Sequence, residues 1–388
     1  MSQGVRKEHE QAFGEVVGAR HARALSRARQ ALLVLLKAMG VGPGDRVGVC
    51  GFSCVAVTEA VRLTGARAAY MDVEEHVCID PEAILREGRG GLKVVILQHT
   101  FGIPGRLDEL IEACRGVGAS VVEDCAHALG GTWKGKPLGS FGEGAIYSTG
   151  WGKPCEMGRG GMLTVNSEAL LEKVDEEIER WGLAESRAVE ATSAWERRIH
   201  DAFIGLGAER TLRAIAGQMW RRGLRGERSE QENGWRLYRG YVRIPGEAQC
   251  RVGLKRLGDW PATRARRVAN AEWIEGRLRG AGVATWPVPT EAEPVMMSYP
   301  VRVADKRRVM ELAQRRGVGL LGHYETPVHP LWGEELAEAG YELGWCPRAE
   351  EETDRLVHIS TAGDDIAQGV EMLIRFGGQS GSMRTKGS

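Results

Sequence analysis

Between residues 27 and 170, short and nearly continuous apolar runs alternate with stretches whose apolar residues recur at helical spacing. KVVILQ and ASVVED are the clearest of these runs. A strand that is apolar on both faces must be covered on both faces, and alternation with helices achieves this in a mostly parallel sheet. The pattern predicts helices over 27–40, 54–65, 81–89 and 106–117, and strands over 46–50, 67–72, 93–98, 118–123, 144–148 and 161–165. In open sheets of this kind ligands bind beyond the carboxyl ends of the strands, so the polar residues just after those runs are the first candidates for a site.

The rest of the chain reads differently. Residues 167–236 are helical, charged and Trp-bearing, with a Gly- and Ser-containing break at RGLRGERSE. They read as a partly exposed helical insertion packed on a neighbour, the alternative being a membrane-surface or partner helix. From about 241 to 370 a second α+β unit follows, with strands over 297–303 and 356–360 and helices over 262–280 and 305–316. The predicted division is a large α/β domain over 1–190, a helical insertion or connection over 191–240, and a small C-terminal α+β domain over 241–388. Its tail GGQSGSMRTKGS is expected to be disordered.

Composition removes several functions. Lys and Arg number 52 against 52 Asp and Glu, so no long-range field draws in nucleic acid or an anionic membrane. No apolar stretch approaches the roughly 18–20 residues that span a bilayer. The first twenty residues carry no apolar core of a signal peptide, so a cytoplasmic protein is expected. The eight cysteines contain no CxxC and no Cys/His set with zinc spacing, so they read as reduced thiols with no metal site.

Strand 118–123 runs into Glu123-Asp124, then Cys125-Ala126-His127. The next strand ends in Tyr147-Ser148, followed by a Gly-bearing turn to Lys153. An acid, a hydroxyl and an amine thus emerge at one sheet edge, which is the set that pyridoxal phosphate (PLP) requires. Its aldehyde needs a lysine for a Schiff base, its ring nitrogen a carboxylate, and its phosphate hydroxyl and backbone donors. By type and position alone, Asp124 could equally cap a turn and Lys153 be a solvated loop cation. Yet the chain has only ten lysines, and Lys153 lies in TGWGKPCEMGRGG, where glycines let the backbone approach a ligand.

The stretch VVEDCAHALGGTWKGKPLGSFGEGAIYSTGWGKPCEMGRGGMLTV resembles the heart of the DegT/DnrJ/StrS family of PLP-dependent sugar aminotransferases. That pattern is Glu-Asp-x-Ala-Gln/His, Gly-Ser-x-Gly, Ser-x-x-x-x-Lys and Gly-Gly, and each anchor is present at its spacing. VGPGDRVGVCGFSCVAVTEAVRLTGARAAYMDV, LQHTFGIPG, RIPGEAQCRVGLKRLGDW and GVGLLGHYETPVHPL are similar to outer segments of the family, for coverage of roughly 8–190 and 237–370.

The resemblance implies a fold type I (aspartate aminotransferase-like) homodimer with active sites at the subunit interface. It implies that Lys153 forms the Schiff base and moves a proton, that Asp124 pairs with the ring nitrogen, that His127 lies against the ring and that Ser148 binds phosphate. His323, Tyr324 and His329 would border the substrate. The chain also departs from the family. Ala28-Arg29 stands where the family has a phosphate-binding threonine, with Arg29 on the threonine position as a substitute phosphate ligand. Cys54 replaces the aromatic that stacks on the cofactor ring. Val242 replaces an asparagine lent by the other subunit, and Arg159 an acid before the Gly-Gly pair.

The function these readings imply is transfer of an amino group from glutamate or glutamine to a keto-sugar or related cyclic ketone in biosynthesis. The alternatives are another PLP reaction such as dehydration or elimination, against which Lys153 argues, and a non-catalytic PLP-binding regulatory protein. A plain dinucleotide binder is disfavoured because no G-x-G-x-x-G follows the first strand.

Overall fold

A computed structural model describes residues 2–205, 237–363 and 366–377. The break RGLRGERSE and all but the first residue of the C-terminal tail lie outside the described residues. Seven strands form the central sheet: β1 (His21–Leu25), β2 (Arg46–Cys50), β3 (Arg67–Met71), β4 (Val94–Gln98), β5 (Ser120–Asp124), β6 (Gly144–Ser148) and β7 (Gly161–Val165). Their order is β1-β7-β6-β5-β4-β2-β3. The run from β6 to β3 is parallel, and β7 and β1 join antiparallel at one edge. Every residue of β4 and β7 is buried, as the continuous apolar runs require.

Helices α2 (Ala28–Ala38), α3 (Val55–Leu63), α4 (Pro81–Gly88) and α5 (Leu107–Gly116) connect these strands within two or three residues of the ranges predicted by periodicity. Helix α2 shows why: eight of its eleven residues are buried, so its apolar stripe covers most of its circumference. α4 begins at Pro81 behind the Asp80 cap, whose side chain accepts from the Glu82 N–H.

Two elements at the amino end escaped the periodicity, α1 (Ser2–Val17) and strand β1. In α1 much of the packing face is polar: His9 and Glu10 are buried, and Glu10 accepts the Ala24 N–H at 3.0 Å, so the usual apolar stripe is weak. After β7 come α6 (Glu168–Trp181), the short pairing of 182–184 with 242–244, α7 (Arg187–Gly205), α8 (Glu247–Gly258) and α9 (Trp260–Gly280). The carboxyl part holds a three-stranded antiparallel sheet, β8 (Ser298–Arg302), β9 (Leu320–Leu321) and β10 (Leu356–Ser360), with β10 central. Around it stand α10 (Lys306–Arg316), α11 (Pro347–Arg355) and α12 (Ala367–Gly377). All eight cysteines are free, and no helix among the described residues is long and apolar enough to cross a membrane.

Candidate active site

The register of the sheet brings three strand ends together. Gln98 pairs with Asp124 across β4 and β5, Asp124 with Ile146 across β5 and β6, and Ser148 with Gly161 across β6 and β7. Beyond these ends lies a cavity of about 280 Å³. Lys153, Asp124, His127 and Ser148 line it, as do Ala28, Arg29, Cys54 and Tyr324. His323 and His329 do not line it but flank Tyr324: the His329 ring is 5.4 Å from Tyr324 and 5.6 Å from the exposed ring of His323. A larger cleft of about 770 Å³ between α1, β1 and α6 holds none of these residues.

The charges are unusual for where they lie. Asp124 is 5% exposed, and burial raises its pKa against the opposing pull of the Ala126 N–H (2.9 Å) and of Lys153 and His99. Burial lowers the pKa of Lys153, with Cys54 and Asp124 acting the other way. The amine is thereby closer to the unprotonated, nucleophilic form. Burial also holds His127 neutral. Its Nδ1 accepts the Phe101 N–H at 3.3 Å, which leaves the ring hydrogen on Nε2, and its ring stacks on Phe101.

The first turn of α2 faces the same cavity through Ala28 and Arg29. Its early N–H groups have no acceptor within the helix, and the helix dipole adds partial positive charge there. Gly161 makes this approach possible: a Cβ on it would stand 2.3 Å from the Ala28 nitrogen. Arg29 is not a solvated arginine. Its Nη1 donates to Glu59 Oε2 at 2.7 Å, and the Tyr241 hydroxyl donates to Glu59 Oε1 at 2.5 Å. Glu59 is 1% exposed. Ser148 Oγ accepts weakly from the Gly150 N–H (3.4 Å). Cys54 precedes α3 and pairs through its backbone with His329. Val242 is fully buried in its own chain, and Arg159 lines the cavity.

Sequence reasoning did not assign the roles of several residues that hold this arrangement. Glu123, fully buried, accepts from the N–H groups of Gly139 (2.8 Å), Phe141 (2.6 Å) and Gly142 (3.1 Å), and lies 2.9 Å from His99 Nε2. Gln249 Nε2 donates to the carbonyls of Met157 (3.1 Å) and Arg159 (2.5 Å), fixing the loop after Lys153. Lys306 Nζ donates to the carbonyls of Tyr324 (2.9 Å) and Thr353 (2.6 Å), tying the 323–329 segment to α11. The one visible signal was Glu59, an acid amid the apolar helix run VAVTEAV.

A family model for the DegT/DnrJ/EryC1/StrS aminotransferases matches residues 3–365. The chain belongs to that family. The spore coat polysaccharide biosynthesis protein SpsC of Bacillus subtilis (strain 168) is 32% identical over 169 residues, which is 43% of this chain and 43% of that protein. The GDP-perosamine synthase of Caulobacter vibrioides is 33% identical over 168 residues, 43% of this chain and 45% of its own. The chain thus matches less than half the length of these curated relatives. Solved structures extend the likeness of fold over nearly the whole chain. DesV from S. venezuelae superposes with a TM-score of 0.74 at 23% identity, covering 96% of this chain and 88% of that one. Spr1654 from Streptococcus pneumoniae in its PLP form gives 0.73 at 17%, covering 96% and 89%. The fold is the type I fold of PLP-dependent aminotransferases, as expected from the sequence.

Proposed function

We propose that this family member is a PLP-dependent aminotransferase that moves an amino group from glutamate or glutamine to a keto-sugar or related cyclic ketone in a biosynthetic pathway. It works as a cytoplasmic homodimer with active sites at the subunit interface. The observation that carries this reading is the convergence, in one cavity, of a desolvated lysine and a desolvated carboxylate beneath a helix N-terminus.

The donor set fits the cofactor. Asp124 would meet the ring nitrogen, His127 the ring and its 3-hydroxyl, and Ser148 with the first turn of α2 and Arg29 the phosphate. Lys153 would hold the aldehyde carbon. When bound, PLP supplies a carbonyl that takes up amines and a ring that accepts the electron pair released at the substrate carbon. The chain's own residues do the rest. Lys153, its proton affinity lowered by burial, takes and returns the proton at the reacting carbon through Nζ. The Asp124 carboxylate, its Oδ1 steadied by the Ala126 N–H, keeps a proton at the ring nitrogen. His127, neutral, adds a hydrogen-bonding ring without adding positive charge. His323, Tyr324 and His329 border the acceptor.

Borohydride reduction of the PLP-loaded protein followed by peptide mapping tests this directly. The label is expected on Lys153, with a visible chromophore beforehand and its loss in Lys153→Ala. A label on another lysine, or no chromophore after adding PLP, overturns the reading. A panel of keto-sugars and cyclic ketones offered to the aminated form then identifies the acceptor.

A further inference from the structure

Helix α9 buries Trp260, Arg267, Ile274 and Leu278 along one stripe, with the arginine two turns from the tryptophan on one side and from the isoleucine on the other. That spacing puts Arg267 on the same face as its apolar neighbours, a position that packing alone would fill with a residue such as leucine. The side chain is 3% exposed, and among the described residues no carboxylate forms an ion pair with it. Burial lowers its pKa to about 10 from 12.5, so the charge is still carried near neutral pH. A buried cation without a paired anion is costly, and stability alone gives no reason to keep one.

Its contacts show what it joins. Nη1 donates to the Met297 carbonyl at 2.9 Å and to the Thr361 hydroxyl at 3.0 Å, where Met297 leads into β8 and Thr361 follows β10. Nη2 reaches the Lys153 carbonyl at 3.5 Å. At that length the contact is weak for a neutral pair, but an ionised donor in a buried setting attracts a carbonyl dipole more strongly. The Cys155 thiol and the Glu156 carboxylate of the same loop also interact with its charge. The Met297 N–H in turn donates to the Phe101 carbonyl at 3.0 Å, and the Phe101 N–H is the donor to His127. One guanidinium thus stands between the peptide chain that holds His127 and the backbone of Lys153. The small sheet does not need it: the Met297 carbonyl also accepts the Thr361 hydroxyl at 3.0 Å and the Thr361 N–H at 3.3 Å.

We propose that Arg267 is a positioning residue for amino transfer, which fixes the backbone of Lys153 against the joint of the small sheet and so sets where Nζ stands relative to the reacting carbon. This rests on the aminotransferase reading and adds to it a residue outside the cavity. Arg267 does not line the cavity, so it acts only through the Lys153 loop. Gln249 holds the far part of that loop through the carbonyls of Met157 and Arg159, which leaves the part nearest the catalytic amine to Arg267. A misplacement of about 1 Å at a catalytic group can cost about a hundred-fold in rate, so a modest loosening there is measurable.

Arg267→Met and Arg267→Lys test it, with Asn270→Ala for comparison. Asn270 lies about one turn further along α9 and donates to the carbonyls of Thr361 (2.9 Å) and Gly363 (3.2 Å), so its loss loosens the same joint without reaching Lys153. In the cofactor-free protein, amide hydrogen exchange over 150–158 should speed up about ten-fold or more in Arg267→Met and stay within about two-fold of the parent in Asn270→Ala. The urea midpoint of Arg267→Met should equal or exceed the parent's, because an apolar side chain relieves a buried charge. In the PLP-loaded protein, kcat for donor deamination should fall about ten- to a hundred-fold in Arg267→Met, with KM within about three-fold. Arg267→Lys keeps the charge and a donor for Met297 but not the two-ended fork, and should recover part of the rate. Exchange and kcat equal to the parent's in Arg267→Met, or an equal loss in Asn270→Ala, overturn the proposal, since the arginine would then only brace the joint. If Arg267→Met does not fold, Arg267→Lys carries the test: a kcat about three-fold or more below the parent's is expected, and parent-like exchange and kcat overturn the proposal. Exchange is read without cofactor, so a parent that forms no chromophore or ignores glutamate refutes the aminotransferase reading and leaves the hold of Arg267 on the loop to be judged separately.

Discussion

Arg29→Ala separates two roles that one guanidinium can play. The Arg29–Glu59 pair is deeply placed: the two contacting atoms are 2.7 Å apart and the side chains are 13% and 1% exposed. Removing one partner of a buried ion pair costs about 3–5 kcal/mol, because the remaining charge sits where water solvates it poorly. Arg29 borders an open cavity and Tyr241 still donates to Oε1, so the lower end, about 3 kcal/mol, is expected. Urea unfolding of the cofactor-free protein measures it. Arg29→Ala/Glu59→Gln removes the charge as well as its partner and should recover about 2 kcal/mol. If the single and double variants unfold at the same urea concentration, the loss comes from packing and the electrostatic reasoning is wrong. The cofactor role has a separate readout, the ratio of affinities for PLP and for pyridoxal, which lacks the phosphate. A charge-assisted bond of about 1.5–3 kcal/mol lowers that ratio roughly ten- to a hundred-fold in Arg29→Ala, with partial recovery in Arg29→Thr. An unchanged ratio would assign Arg29 to Glu59 alone.

Asp124→Ala should lose about 3–4 kcal/mol of transition-state stabilisation, two to three decades in the rate of donor deamination followed by stopped-flow absorbance, and retention of more than about a third of the rate rejects the ring-nitrogen role. His9 is 1% exposed and burial lowers its pKa to about 4 from 6.5. The folded state therefore refuses a proton that the unfolded chain accepts, so stability is complete above pH 6.5 and falls as pH drops toward 4, by up to about 3 kcal/mol. His9→Leu should flatten that part of the profile relative to the parent, and parallel profiles would show that other groups carry the acid sensitivity. Glu123→Gln turns an amide NH₂ toward a carboxylate site that receives three backbone N–H groups. A loss of about 2–3 kcal/mol with faster hydrogen exchange over 139–142 is expected, and a loss below about 0.5 kcal/mol would mean that the loop holds itself.

The sheet was legible because its strands are covered on both faces, so the apolar runs had nothing polar to interrupt them. β2, β6, β7 and β10 lie at the residues that the runs indicate. Asp124 and Lys153 were legible as residue types at a strand end and in a glycine-rich turn. What periodicity could not show was which long-range partner each polar residue takes. Glu123 reads as the first acid of a pair, yet it is the acceptor for a loop about sixteen residues onward. Gln249 and Tyr241 act on the site from ninety or more residues away in sequence. Arg267 carried no signal beyond its position, because its burial and its reach to the Lys153 carbonyl exist only once α9 is packed in place. α1 hid for the opposite reason, since its buried face carries His9 and Glu10 and a hydrophobic pattern cannot register a polar core position.

Arg29 and Glu59 also show that two apparently separate features of the sequence are one. A cation in the first turn of a helix opposes the helix dipole, and a cation with 13% of its side chain exposed also loses most of its hydration. An arginine at this position is therefore unfavourable on two counts unless an anion lies within contact. Glu59 is unfavourable in its turn, an acid on a face of α3 whose neighbours Val57, Thr58, Ala60 and Val61 are buried. Each residue relieves the other at 2.7 Å, and the Tyr241 hydroxyl takes the second carboxylate oxygen. The substitution at 29 thus depends on residues in α3 and next to the 242–244 strand. Placing arginine on the threonine position of a relative that lacks the acid should destabilise that protein, whereas placing both residues together should not. This coupling is what a double-mutant cycle between positions 29 and 59 measures.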